Sequence, residues 1–329
     1  PEKPFESLDG IQNLTGLSRL SIFNRLITDI SPLSSLTNLV NLSLHTNWFS
    51  DLSPISGLVN LEQLVVSENP ISDLSPLAGL TKLRELRVHG LYPYQLQHYL
   101  NMDDGRDPNV VFNGITDISP LAGLTEMRLL RIHLNAISDI SPLSNLTKLT
   151  HLRIYDSEIK DISPLANLDE LVLLWAHNNQ IEDISALSEM TGMQQLSLND
   201  NAISDISALR GMIEMEHLFL SNNRIEDIAP LRRLHALKVL RLENNSITDV
   251  SALAGVSELE ELSLARNWSL YNVQPLLLNS GLGDGDELDL RFTHVRCSDM
   301  DAFENLGATL LRVTAINGSS CPGRRLEDP

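Results

Sequence analysis

The chain has 329 residues, 42% hydrophobic and 20% charged, with 43 Asp plus Glu against 24 Lys plus Arg and a formal net charge of -19. No apolar run approaches the ~18 residues of a membrane helix, and the composition is neither that of a disordered chain nor that of collagen. The acidic average field argues against nucleic acid as a partner, because phosphates would be repelled.

Aromatic residues are only 5% of the chain, so leucine has to fill most of the core. The chain begins at Pro1 with no charged n-region and apolar h-region behind it, so a signal peptide is expected to have been removed or not included. Residues 1–16 are a partial repeat, expected to cap the N-terminal end. From there a period governs the sequence. Asp, an aliphatic residue, a small residue and then Pro or Ala recur at Asp29, Asp51, Asp73, Asp117, Asp139, Asp161, Asp183, Asp205, Asp227 and Asp249. Every gap is 22 residues except one of 44, which predicts that the turn between Asp73 and Asp117 keeps its length and loses its pattern.

A full unit runs from Leu149 to Glu170, and most units carry Asn at the ninth place, as at Asn47, Asn69, Asn113, Asn135, Asn179, Asn201, Asn223, Asn245 and Asn267. This is the leucine-rich-repeat template. Leu152-x-Ile154 reads as a short strand with its even residues inward, and successive strands stack as a parallel ladder. The Asn side chain can bond backbone groups left over where the chain leaves the strand. At the Asp-Ile-Ser-Pro-Leu corner, the Asp repeated once per turn is expected in a capping role rather than as one of paired catalytic carboxylates, with Ser as a good N-cap and Pro as the first residue of a short 3₁₀ turn. The predicted fold is an α/β solenoid: a right-handed horseshoe with a parallel concave β-sheet and short 3₁₀ or irregular convex segments, over residues 17–267.

The Asp-Ile-Ser-Pro-Leu corner, with Asn-x-Ile before it and Leu-Thr-x-Leu after it, resembles the bacterial internalin-type 22-residue leucine-rich repeats. The resemblance implies a secreted or surface-exposed bacterial binding protein.

An irregular stretch at about 91–108 holds Tyr92, Tyr94 and Tyr99, three of the five tyrosines, and reads as a secondary interface, against the alternative that these rings cover the core where leucines are missing. Residues 268–322 read as a C-terminal cap. They include a strand at Glu287–Arg291, a helix over Ser298–Leu306 and a last strand at Leu310–Val313, with 323–329 as a tail. Cys297 and Cys321 flank this cap and are expected to form a disulfide of the kind found in exported proteins. Gly281-x-Gly283-x-Gly285 fits neither a dinucleotide fingerprint nor, with its acids, an EF-hand. No cofactor is implied.

Because the register is fixed, outward strand residues can be read as three columns. The first passes through Glu85, Asp107, Leu129, His151, Leu173 and His217; the second through Arg87, Asn109, Arg131, Arg153, Trp175 and Phe219; the third through His45, His89, Val111, His133, Tyr155 and His177. Between Leu129 and Ser221 the columns hold no acid. The partner-binding residues read from this pattern are Arg87, His89, Arg131, His133, His151, Arg153, Tyr155, Trp175, His177, His217 and Phe219, since Trp, Tyr, Phe and Arg make up binding hot spots. His45, His89, His133 and His177 recur every second repeat. At ~4.8 Å per strand they would be about 10 Å apart, too far to share a metal held at ~2 Å. Their protonation near pH 6 would favour an anionic partner.

No nucleophile–base signature, zinc motif or phosphate loop is present. The sequence therefore predicts a non-enzymatic, monomeric module for protein–protein recognition through the concave face. Binding of acidic carbohydrate and a structural repeat region of a larger surface protein are the alternatives.

Overall fold

The computed structural model describes residues 7–91, 114–282, 286–296, 299, 302–303 and 309–311. The chain divides into two compact units, Pro1–Glu170 and Leu171–Pro329, each built of leucine-rich repeats. Cys297, Cys321, Tyr92, Tyr94, Tyr99 and Asn113 lie outside the described residues, as does most of the helix expected over Ser298–Leu306.

In the first unit the strands are β1 (Arg19–Ser21), β2 (Asn41–Ser43), β3 (Gln63–Val65), β4 (Glu85–Arg87), β5 (Leu129–Arg131) and β6 (His151–Arg153), all paired in parallel in chain order. In the second they are β7 (Leu173–Trp175), β8 (Gln195–Ser197), β9 (His217–Phe219), β10 (Val239–Arg241), β11 (Glu261–Ser263), β12 (Glu287–Asp289) and β13 (Thr309–Leu311), again parallel and sequential. Among the described residues that makes thirteen strands, fewer than the fifteen turns that length divided by 22 suggests.

The core follows from the repeat. In the unit beginning at Leu149, the side chains of Leu149, Leu152, Ile154, Ile159, Ile162, Leu165 and Leu168 are all buried. Each such side chain contributes about 1.5–3 kcal/mol of apolar burial. Met190, Met193, Met212 and Met215 take leucine positions in the second unit and are equally buried, the flexible thioether filling the same volume.

Opposite the strands, each turn is closed by a short 3₁₀ segment such as Ser141–Leu143 or Ser185–Leu187. The corner Asp caps as expected, whereas Ser is not the N-cap. Ser141 is the first residue of its segment, and it is Asp139, two residues earlier, whose Oδ1 accepts the Ser141 N–H at 2.8 Å. The same bond recurs from Asp29 to Asp249, with Ala229 N–H as donor at Asp227. The backbone donor, followed by the serine hydroxyl, holds the Asp29, Asp51, Asp117, Asp139, Asp183 and Asp205 carboxyls below their ordinary range.

Asn side chains join the turns. Asn223 Nδ2 donates to the Leu198 and Leu220 carbonyls at 2.9 and 3.0 Å, and its Oδ1 accepts the Ile203 N–H at 3.0 Å. Asn201, Asn245 and Asn267 repeat the arrangement in the second unit, and Asn47, Asn69 and Asn135 make its Nδ2 bonds in the first. The backbone beside the ladder bends through a left-handed residue once per turn, as at Asp156, Asn178, Asp200, Asn222 and Asn244. Asn and Asp tolerate that conformation better than other side chains.

The 44-residue gap resolves differently from its arithmetic. β4 pairs directly with β5, Glu85 opposite Leu129 and Arg87 opposite Arg131, and Asn135 Nδ2 reaches Val88 O at 3.3 Å. The columns therefore run from β4 directly to β5, and Asp107, Asn109 and Val111 lie outside the described residues. In the sequence, Pro108 falls where the repeat elsewhere carries its central Leu, and a proline has no N–H for a ladder bond.

The close approach of the turn after α1 (Gln274–Leu277) to its neighbour explains one glycine: a Cβ on Gly281 would run into the Ser257 carbonyl. Asn279 clips the same turn to Leu253 O and Val256 O at 2.7 and 2.9 Å.

Ser157 occupies the Asn position of its repeat, and its shorter side chain meets the Tyr155 carbonyl at 3.5 Å. Asn223→Ala should cost about 3 kcal/mol by orphaning buried carbonyls, whereas Ser157→Asn should add about 1 kcal/mol. Urea unfolding of both variants checks this, and no change in either would contradict the ladder's role.

Candidate functional site

The site residues are carried on three-residue strands whose central leucine is anchored in the core, so each outward side chain is held at a fixed place. In the first unit the register sets Arg87, Arg131 and Arg153 side by side on β4, β5 and β6. Adjacent strands are ~4.8 Å apart. Arg87 is paired with Glu85 at 2.5 Å. Arg131 is half-buried, and loss of water, followed by the neighbouring cations Arg153 and Arg87, holds its pKa down. It stays charged, since a guanidinium titrates far above neutral pH. A carboxylate arriving over the row would relieve that crowding.

Beside the arginines the third column forms an aromatic stack. The rings of His89 and His133 are 4.3 Å apart at 15°, and those of His133 and Tyr155 are 4.1 Å apart at 22°. The spacing of about 10 Å expected for His89 and His133 is thus overturned, because no strand stands between β4 and β5. His133 is only 3% exposed and Tyr155 5%, so this stack braces the arginine row and offers little ring surface. Burial, the largest influence, pushes the His89 pKa down; the Gly90 carbonyl and Glu68 oppose this, and Arg131 and Arg87 reinforce it. His151 is exposed and bonded to Thr150 Oγ1 at 2.9 Å; partial burial, Arg153 and Arg131 lower its pKa as well. Charging of these two imidazoles therefore needs a lower pH than the ordinary histidine value near 6.5.

In the second unit Trp175 on β7 lies tilted to His177, with ring centroids 6.4 Å apart, and His177 Nδ1 bonds Ser197 Oγ at 3.1 Å. His217 and Phe219 sit on β9, both half-buried, and the Arg241 guanidinium lies 5.6 Å from the Phe219 ring centroid. Arg241 is also held by Glu261 at 2.6 Å, which raises its pKa. Among the described residues, no group of three or more His, Cys, Asp or Glu converges to hold a metal.

Two features escaped the column reading. One is a group of aromatic residues beyond the regular repeats: Trp268 and Tyr271, 56% and 60% exposed, with Phe292 and His294 against them. They stand off the 22-residue period, so no column contains them. The other is a trough across the first four strands, made by small residues whose depth no linear pattern conveys.

The leucine-rich-repeat family model, in its two-copy form, matches residues 147–189, 169–211, 191–233 and 213–255. A crystal structure of an internalin, InlF from Listeria monocytogenes, is 33% identical and superposes with a TM-score of 0.80 over 92% of this chain and 82% of that one. The chain belongs to the internalin family. Internalin C2 from the same species is 34% identical over 64% of this internalin chain and 83% of its own, with a TM-score of 0.54. The functional domain of Listeria monocytogenes InlJ, described as including a cysteine ladder, shares the fold at 21% identity, with a TM-score of 0.63 over 92% of this chain and 69% of that one. No curated protein sequence matches. No helix among the described residues of this internalin is long and apolar enough to cross a membrane.

The depressed His89 pKa has a consequence for stability. The unfolded chain takes up a proton at this residue before the folded chain does, so the stability it contributes is present above about pH 6.5 and is lost as pH falls below that value. His89→Phe keeps a ring in the stack and removes the titration. Urea unfolding at pH 7.5 and pH 5 should show a smaller acid loss for the variant, and an equal loss in both proteins would contradict this.

Proposed function

We propose that this chain is a non-enzymatic recognition module that binds an acidic segment of a protein partner across the sheet face, with the row of Arg87, Arg131 and Arg153 as its centre. Leucine-rich repeats are commonly protein-interaction modules, and the chain's place in the internalin family supports the reading. The observation that carries the reading is the register of three arginines on adjacent strands beside a packed aromatic stack. Arginine forks bind carboxylates in two parallel hydrogen bonds, and a guanidinium already stripped of part of its water loses less on binding. In the second unit Trp175, His177, His217 and Phe219 are a contact surface of their own, with Tyr92, Tyr94 and Tyr99 as a further interface. A secreted or cell-surface location and a monomeric state belong to the same reading, as does a disulfide between Cys297 and Cys321.

Immobilised wild-type chain and an Arg131→Glu, Arg153→Ala variant of equal thermal stability should be compared in quantitative capture of surface proteins at two salt concentrations. Specific partners should be lost from the variant by about tenfold or more, and their capture by the wild type should weaken with salt. A partner set unchanged by the substitutions would remove the arginine row from the function.

A further inference from the structure

On the sheet face of the first unit, across β1 to β4, lies a trough of about 740 Å³. That volume falls within the range of small-molecule sites, about 300–1,000 Å³. Its floor is low because the second-column residues there are Ser21, Ser43 and Val65, where β4, β5 and β6 carry arginines. Along one side runs a fixed polar chain: Asn41 Nδ2 donates to Gln63 Oε1 at 2.8 Å, Gln63 Nε2 donates to Glu85 Oε2 at 3.0 Å, and Glu85 is held by Arg87 at 2.5 Å. Along the other side stands His45, with Phe23 stacked on it at 4.8 Å and 54% exposed. Arg19 and Arg87 close the two ends, three strand steps apart, or about 14 Å. In a protein of net charge -19, the acid of that chain, Glu85, is paired with Arg87, and no other acidic residue is among those lining the trough.

We propose that the trough is a binding site for an acidic oligosaccharide of the uronic-acid type. Its chemistry selects that occupant. The strands at the centre of the trough, β2 and β3, are paired on both sides, so a peptide lying over them could not add itself as a strand. What remains is a set of amides and hydroxyls that can both donate and accept, which matches sugar hydroxyls. The Phe23 ring offers an apolar face for a sugar's C–H surface, and the terminal guanidiniums suit carboxylates. Because Asn41, Gln63 and Glu85 already hold one another in place, little side-chain freedom is lost on binding. The site is separate in composition from the Arg131 and Arg153 row, sharing only Arg87 with it.

Calorimetric titration of the full chain with tetragalacturonate and with a hyaluronan tetrasaccharide tests this, with neutral galactotetraose and a hexaglutamate peptide as controls. At least one acidic sugar should bind, more tightly than either control. Arg19→Glu should weaken it about tenfold or more, Ser43→Trp should abolish it by filling the floor, and Arg153→Ala should leave it within about twofold, since that residue lies two strands beyond Arg87. If Ser43→Trp fails to fold, the surface change Arg19→Glu decides alone. The proposal is overturned if neither acidic sugar binds, if hexaglutamate binds more tightly, or if Arg19→Glu leaves the affinity unchanged.

Discussion

Everything in this molecule depends on how a 22-residue turn satisfies its own backbone. A strand of three residues and a 3₁₀ segment of three to five leave most of each turn irregular, and irregular backbone buried beside a leucine core is costly unless every polar group finds a partner. The Asn ladder supplies those partners from inside. One amide donates to carbonyls of two successive turns and accepts an N–H from the earlier turn. At the opposite corner, an Asp carboxylate accepts the Ser N–H two residues on. Together they fix the register, and the register fixes which side chains become neighbours on the face.

That register turns sequence separation into distance. Arg87 and Arg131 are 44 residues apart and lie on adjacent strands, as do Arg131 and Arg153, which are 22 apart. The same geometry brings His89 against His133 and His133 against Tyr155. Charge on the face differs from the average: ten of the 43 acids sit at the capping corners, away from the strands, so the net charge describes the wrong surface. The small residues of β1 to β3 and the arginines of β4 to β6 give one unit two kinds of surface, a polar trough and a cationic row.

Most of the fold was legible because a solenoid repeats its physics: Leu152, Ile154 and Asn223 each behave as their spacing predicts. The capping role of the corner Asp was legible because one recurs before every segment, whereas Ser was placed one residue too early because Asp and Ser are both good capping residues and only the hydrogen-bond geometry distinguishes them. The gap of 44 was misread because length alone cannot tell a distorted turn from an inserted one. Pro108 carried the missing signal, since it falls where a strand needs both a leucine and an N–H. Joining Leu91 to Gly114 restores an ordinary unit through Leu83, Leu86, Val88, Ile115 and Asp117. Depth and exposure were beyond the columns: they announced neither the trough nor the burial of His133 and Tyr155, and Trp268 and Tyr271 stand off the period.

The direct test of this account is deletion of residues 92–113, followed by thermal unfolding and by NMR of the His89 and His133 rings. If the 22-residue register runs from β4 straight to β5, the shortened chain should unfold in a single cooperative transition within about 5 °C of the parent, since surface insertions are tolerated at small cost. Ring contacts between His89 and His133 should persist. Loss of cooperative folding, or loss of those contacts in a folded chain, would show that the deleted segment supplies a turn of the solenoid and would contradict the account.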